Sequence, residues 1–295
     1  MSEYERNILS MDSLFIGLDD FLLSALKEDI GSGDITTVSC VPENATSNGV
    51  FIMKEPGVVC GLHVLMRVFH LFDSDVNITL LKSDGDHVDT GDIIAKINGS
   101  SRSILTCERT ALNLLQHMSA VATKTSVAVI AISGTYAKIV DTRKTMPGVR
   151  VLDKYAVRCG GGFNHRFNLS DGVLIKDNHI AAAGGITNAV KYARLNSPFT
   201  IKIEVETESL SQVDEALDAG ADIIMLDNMS IEMMADAVKR IGNRALTEAS
   251  GNMGERDLRA VAETGVGFIS IGALTHSVKA LDISLRFNAR NDVTL

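Results

Sequence analysis

The stretch IEVETESLSQVDEALDAGADIIMLDN (203–228) decides the fold. An apolar run ending at Val205 is followed by a helical pattern over Ser209–Ala219 and then by a second apolar run, Ile223–Leu226. Two short strands joined by a helix read as neighbours in a parallel sheet, because parallel strands need a crossover connection. The second run has no polar face, as expected when helices cover both sides of the sheet. Glu204 and Glu206 are two apart on one strand, so their side chains share a face. Asp227 closes the next strand.

The same rhythm extends in both directions. From about residue 106 the spacing predicts strands over Ala137–Val140, Gly172–Ile175, Thr200–Val205, Ile223–Leu226, Arg244–Thr247 and Phe268–Ile271. Helices are predicted over Glu108–Ile132, Asp153–Cys159, Ile186–Leu195, Ser209–Ala219, Ile231–Ile241 and Glu255–Glu263. Such units build either an open doubly wound sheet or a barrel. The strand ends favour the barrel: DTRKT (141–145), Lys176-Asp177-Asn178-His179, Glu204 with Glu206, Asp227-Asn228, Ser250-Gly251-Asn252 and Gly272-Ala273 follow successive strands. A β/α barrel gathers reactive groups at the C-terminal ends of many strands, whereas an open sheet uses those beside its switch point.

Before residue 105 the pattern is mixed. A helix near Leu18–Lys27 ends in the turn-rich EDIGSGDITT (28–37). β-like runs follow at Gly49–Met53, Gly57–Cys60, Val76–Leu81 and Asp92–Asn98, with a helical run at Val64–Phe72. SDGDHVDTGD (83–92) reads as polar turns around a short strand. The expected fold is therefore α/β: an incomplete, TIM-like barrel of about six or seven strands with a smaller N-terminal α+β domain.

With 45% hydrophobic residues the chain can bury a large core, and no apolar run reaches the roughly 18 residues that span a bilayer. MSEYERNILSMDS (1–13) is charged and lacks an apolar signal segment, which predicts a cytoplasmic protein. Cys40, Cys60, Cys107 and Cys159 are scattered without metal-ligand spacing and read as packed, reduced thiols. The net charge of −9 argues against nucleic-acid binding. Yet eight Lys/Arg against four acids lie between Lys138 and His179, which suits a pocket for a small anion or else a solvated basic surface.

Three residue sets carry chemistry. SGNMG (250–254) and SIGALTHS (270–277) follow the last two strands, where barrels bind phosphate through backbone N–H groups; a plain turn is the bland alternative. Glu204, Glu206 and Asp227, if they face the interior, need cations, either Mg²⁺ or the ammonium groups of Lys144 and Lys176. Thr142, Arg143 and Lys144 lie past one strand, and His165 and Arg166 follow CGGG (159–162). That glycine run does not follow a strand, so it is no dinucleotide loop. Arginine grips carboxylates through two parallel hydrogen bonds and lysine is a compact charge suited to phosphate, so a ligand with both groups explains both residue types. Surface ion pairs are the alternative for each residue taken singly.

Taken together, EDIGSGDITT, ERTALNLLQHMS (108–119), DTRKTMPGVR (141–150), KYAVRCGGGFNHRFNLSDGVLIKDNHI (154–180), IEVET (203–207), ADIIMLDNM (221–229), EASGN (248–252) and FISIGALTHS (268–277) resemble the quinolinate phosphoribosyltransferase family in order across almost the whole chain. Met146, Phe163 and Met229 are conservative departures. The resemblance implies an N-terminal domain over 1–118, rejoined by a C-terminal helix over 275–295, and a barrel over 119–274. It implies phosphoribosyl transfer from phosphoribosyl pyrophosphate to quinolinate with loss of CO₂, giving nicotinate mononucleotide, with Mg²⁺ as cofactor. It implies at least a homodimer in which Arg109 completes the neighbouring site. By motif position, Thr142, Arg143, Lys144, His165, Arg166 and Lys176 line the quinolinate and phosphate pocket. Glu206 and Asp227 stand by the ribose and the metal, with Glu204 a less certain member. Ser250, Gly251, Asn252, Ser270, Gly272 and Ala273 surround the 5′-phosphate. Lys144, Lys176, Glu206 and Asp227 are the catalytic candidates. Rival readings are a Schiff-base aldolase with Lys176 as nucleophile and a non-catalytic anion-binding protein.

Overall fold

The computed structural model describes residues 17–287. The chain begins with helices α1 (Leu18–Ile30) and α2 (Ile35–Cys40), then β1 (Thr46–Met53), β2 (Gly57–Val58), α3 (Leu62–Phe72), β3 (Asn77–Leu80), β4 (His87–Val88) and β5 (Ile93–Ser100). The long α4 (Ser101–Ala131) leads to β6 (Lys138–Val140), α5 (Arg150–Cys159), β7 (Val173–Ile175), α6 (Asp177–Ala183) and α7 (Ile186–Asn196). There follow β8 (Ile203–Thr207), α8 (Leu210–Asp218), β9 (Ile223–Asp227), α9 (Ile231–Ile241), β10 (Leu246–Ser250), α10 (Leu258–Glu263), β11 (Phe268–Ser270), α11 (Ala273–His276) and β12 (Ile283–Phe287). No helix among the described residues is long and apolar enough to cross a membrane.

The chain divides into two units, 1–124 with 151–161 and 278–295, and 125–150 with 162–277. The first division therefore falls six residues later than the expected 118/119, and helix α5 is added to the first unit from Val151 onward. In the first unit an antiparallel sheet runs β12-β1-β5-β3. Phe51 of β1 and Phe69 of α3 are fully buried and meet edge to face at 6.3 Å.

The expected C-terminal helix over 275–295 needs correction. Helix α11 stops at His276, and β12 pairs antiparallel with β1 from Met53↔Ile283 to Gly49↔Phe287. ISLRF (283–287) alternates apolar and polar residues with the period of a strand, and it satisfies the backbone of an otherwise free β1 edge. Residues 288–295 of that segment, like the N-terminal 1–13, lie outside the described residues.

The second unit holds a six-stranded parallel sheet in the order β6-β11-β10-β9-β8-β7. Six strands with helical crossovers make the incomplete α/β barrel. On the free edge of β6, Phe163 N donates to Ile139 O at 2.8 Å, and Asp141 N donates to Phe163 O at 3.1 Å. The helices begin where side chains cap free N–H groups: Ser209 accepts from Gln212, Ser230 from Met233 and Asp257 from Ala260. Helix α9 buries Met234, Ala237 and Ile241, the three- and four-residue spacing of one helical face.

Register sets the interior face. Glu204 pairs with Leu174 on β7, and Glu206 pairs with Met225 on β9. Met225 pairs in turn with Glu248, Asp227 with Ser250, and Glu248 with Phe268. Paired residues in a pleated sheet point the same way. One face of the sheet thus carries Leu174, Glu204, Glu206, Met225, Asp227, Glu248 and Ser250. Ile203, Val205, Ile224, Leu226 and Ala249, on the other face, are fully buried.

Candidate active site

A cleft of about 510 Å³ opens at the C-terminal ends of these strands. Its lining includes Thr142, Arg143, Lys144, His165, Arg166, Lys176, Glu206, Asp227, Ser250, Gly251, Asn252 and Ser270, residues from seven loops and strands spread along the sequence. Four of the expected site residues do not line it: Arg109, Gly272, Ala273 and the less certain Glu204. Gly272 lies just behind, where an added Cβ would come within 2.8 Å of Lys144 Cδ. Arg109 is exposed on α4, in the first unit.

The cationic side is built on Asp141, which is fully buried at the end of β6. Its carboxylate accepts from His165 N at 2.8 Å and from Asn164 Nδ2 at 2.6 Å. These bonds tie the DTRKT loop to the loop after the glycine run. Arg166 Nη1 donates to Gly172 O at 2.7 Å. Burial, then the nearby Arg143 charge, lower the Arg166 pKa; Glu204 and Asp171 oppose that shift. Arg143 Nε is buried without a hydrogen-bond partner. Two neighbouring guanidinium groups with a donor to spare define a place for an anion.

On the acidic side Lys176 Nζ bonds Glu206 Oε2 at 2.7 Å. Asp227 Oδ2 accepts from Asn228 Nδ2 at 2.6 Å. The ends of β9 and β10 are fitted to each other: Asn228 (φ 53), Gly251 (φ 92) and Asn252 (φ 52) all adopt positive φ. Asn228 N donates to Ser250 O at 3.1 Å. Only glycine fits at 251, because a Cβ would lie 2.2 Å from Asn228 Oδ1 and 2.6 Å from its backbone N.

Glu204 does not line the cleft; it is buried below, with its Oε2 at 3.2 Å from His165 Nε2. The sequence reading missed Glu248, Leu174 and Met225, all of which line the cleft, and placed Asn228 at a strand end without assigning it to the site. Glu248 was hidden because the strand expected at Arg244–Thr247 in fact runs Leu246–Ser250. The TEAS alternation was the available signal.

The fold and the cleft define a β/α-barrel protein whose strand-end site takes a small, multiply anionic ligand. The chain belongs to the quinolinate phosphoribosyl transferase family: the model of the family's N-terminal domain matches residues 34–119 and that of its C-terminal domain residues 121–286. It is 45% identical over 265 residues to a probable carboxylating nicotinate-nucleotide pyrophosphorylase of Bacillus subtilis, covering 90% of this chain and 91% of that one. The Mycobacterium leprae carboxylating nicotinate-nucleotide pyrophosphorylase is 43% identical over 280 residues, at 93% and 98% coverage. The solved nicotinate-nucleotide pyrophosphorylase of Francisella tularensis superposes with a TM-score of 0.88 at 43% identity, covering 92% and 96%.

Proposed function

We propose that this protein transfers phosphoribosyl from phosphoribosyl pyrophosphate to quinolinate with decarboxylation. The products are nicotinate mononucleotide, pyrophosphate and CO₂, and the step serves de novo NAD biosynthesis. The observation that carries this reading is one cleft holding the Arg143–Arg166 pair, with its unpartnered Nε, alongside Lys144, Lys176, Glu206 and Asp227.

Arg143 and Arg166 grip the two ring carboxylates and hold the pyridine nitrogen toward the sugar carbon, so that positioning supplies much of the rate. Departure of pyrophosphate leaves cationic character on that carbon, which Glu206 and Asp227 stabilise, while Lys144 and Lys176 balance the leaving group. The nitrogen forms the bond, so no protein nucleophile is needed. Its positive charge then stabilises the carbanion left by CO₂. Engagement of the Lys176 ammonium by Glu206 suits a fixed charge and opposes a Schiff-base role.

Glu206 and Asp227 suit Mg²⁺ in donor type. Neither belongs to a cluster of three potential ligands among the described residues, so they would supply only part of the shell of a bound ion. When bound, Mg²⁺ neutralises pyrophosphate charge. The Ser250-Gly251-Asn252 turn offers backbone N–H groups for the 5′-phosphate, with Ser270, Gly272 and Ala273 completing the pocket. We further propose a cytoplasmic homodimer or higher homo-oligomer, with exposed Arg109 reaching the neighbouring site.

Mixing the protein with quinolinate, phosphoribosyl pyrophosphate and Mg²⁺ should release pyrophosphate and CO₂ in equal amounts. Binding without release would favour a non-catalytic anion-binding protein instead.

A further inference from the structure

Two acids inside the barrel play no part in the mechanism above. Glu204 on β8 and Glu248 on β10 come from alternate strands, and their side chains are only 4% and 5% exposed. Both approach one ring nitrogen: His165 Nε2 lies 3.2 Å from Glu204 Oε2 and 3.5 Å from Glu248 Oε2. The other oxygen of each, Oε1, is buried with no hydrogen-bond partner.

The tautomer of His165 settles what can lie among these groups. Its Nδ1 accepts the Arg166 backbone N–H at 2.7 Å, so Nδ1 carries a lone pair and the ring proton sits on Nε2. Nε2 therefore donates toward the acids and offers no lone pair to a metal ion. The Arg166 charge lies near Glu204, but a neutral ring gives an ionised Glu248 no such counter-charge in a dry interior, a costly arrangement. One carboxyl must hold a proton. Of the two, only Glu248 lines the cleft. Burial, and then the Glu204 charge, push its carboxyl up to about 8.

We propose, building on the function above, that Glu248 meets the substrate as a neutral carboxylic acid and donates its O–H to a ring carboxylate of quinolinate. An ionised acid at this position would repel a dianion; a neutral one recognises it. Glu248 is thereby a specificity-determining residue beside the two arginines.

Calorimetry on the full chain measures quinolinate affinity without the second substrate. Glu248→Ala should weaken it about tenfold or more, the usual scale of a charge-assisted hydrogen bond. Glu248→Gln, a neutral donor of the same length, should recover most of that loss. The KM for phosphoribosyl pyrophosphate should move less than about twofold, as expected for a contact made to the other substrate. Should Glu248→Ala not fold, Glu248→Met, of similar length without a donor, replaces it. Equal quinolinate affinity in all three proteins overturns the proposal. So does Gln binding as weakly as Ala, since the ionised carboxylate would then be the active form. Wild-type turnover with unchanged variant affinities defeats only the role of Glu248, whereas wild-type protein that neither binds quinolinate nor releases pyrophosphate defeats the function itself.

Discussion

Replacing Gly251 with alanine should be felt in both the barrel and the site. The new Cβ would stand 2.6 Å from the backbone N of Asn228, against roughly 3.5 Å for ordinary carbon contact, so one chain must retreat by roughly 1 Å. It cannot be relieved by a side-chain rotamer alone, because the obstacle is backbone at the end of β9. The positive φ of 92° adds a second cost of about 1–2 kcal/mol for a residue with a Cβ. Overpacking of this kind costs about 1–3 kcal/mol. The sum, about 2–5 kcal/mol, corresponds to a melting temperature lower by about 5–15 °C for a unit of this size. Asn228 adjoins Asp227, so the retreat also shifts an acid that lines the cleft, and a shift of about 1 Å can cost about 10²-fold in rate. A thermal melt and a pyrophosphate-release assay read the two effects. A Gly251→Ala protein that melts within about 1 °C of wild type and turns over normally would refute the steric argument.

Arg166→Ala should lower kcat/KM for quinolinate on the order of 10²-fold, by loss of a charge-assisted contact, as steady-state kinetics would reveal. Chelating Mg²⁺ should abolish pyrophosphate release yet leave quinolinate binding in place, which calorimetry checks separately. Glu248 also links stability to pH. The folded state holds its proton up to about pH 8, whereas the unfolded chain releases it near 4.5. Its contribution is therefore complete below 4.5 and is lost as pH rises toward 8, by at most ~1.4 kcal/mol per pH unit. Denaturant melts between pH 5 and 8 should show a shallower decline for Glu248→Gln than for wild type, and parallel curves would count against a buried proton there.

Much of the site was legible because strand ends carry it. Arg143, Lys176, Glu206, Asp227 and Ser250 each follow or close an apolar run, and in a parallel barrel such positions share one rim. Glu248 was not legible while its strand was placed too early, because a shift of two residues turned a mid-strand acid into a loop residue. The helix α6 over Asp177–Ala183 escaped for a related reason: its polar first turn resembles a loop. The helix over 275–295 was an expectation of the family resemblance; the strand period of ISLRF finds its partner, β1, more than 200 residues earlier in the chain.

Local periodicity alone determined that Glu204 and Glu206 share a face and that strands alternate with helices from residue 137 onward. That information is carried by neighbours in the chain. Only the tertiary structure decided that β6 lies beside β11, that Glu248 joins Glu204 at His165, and that Arg143 keeps a buried, unpartnered Nε. Those outcomes depend on which distant segments exchange hydrogen bonds and exclude water together, a competition among long-range pairings that no single stretch of residues encodes.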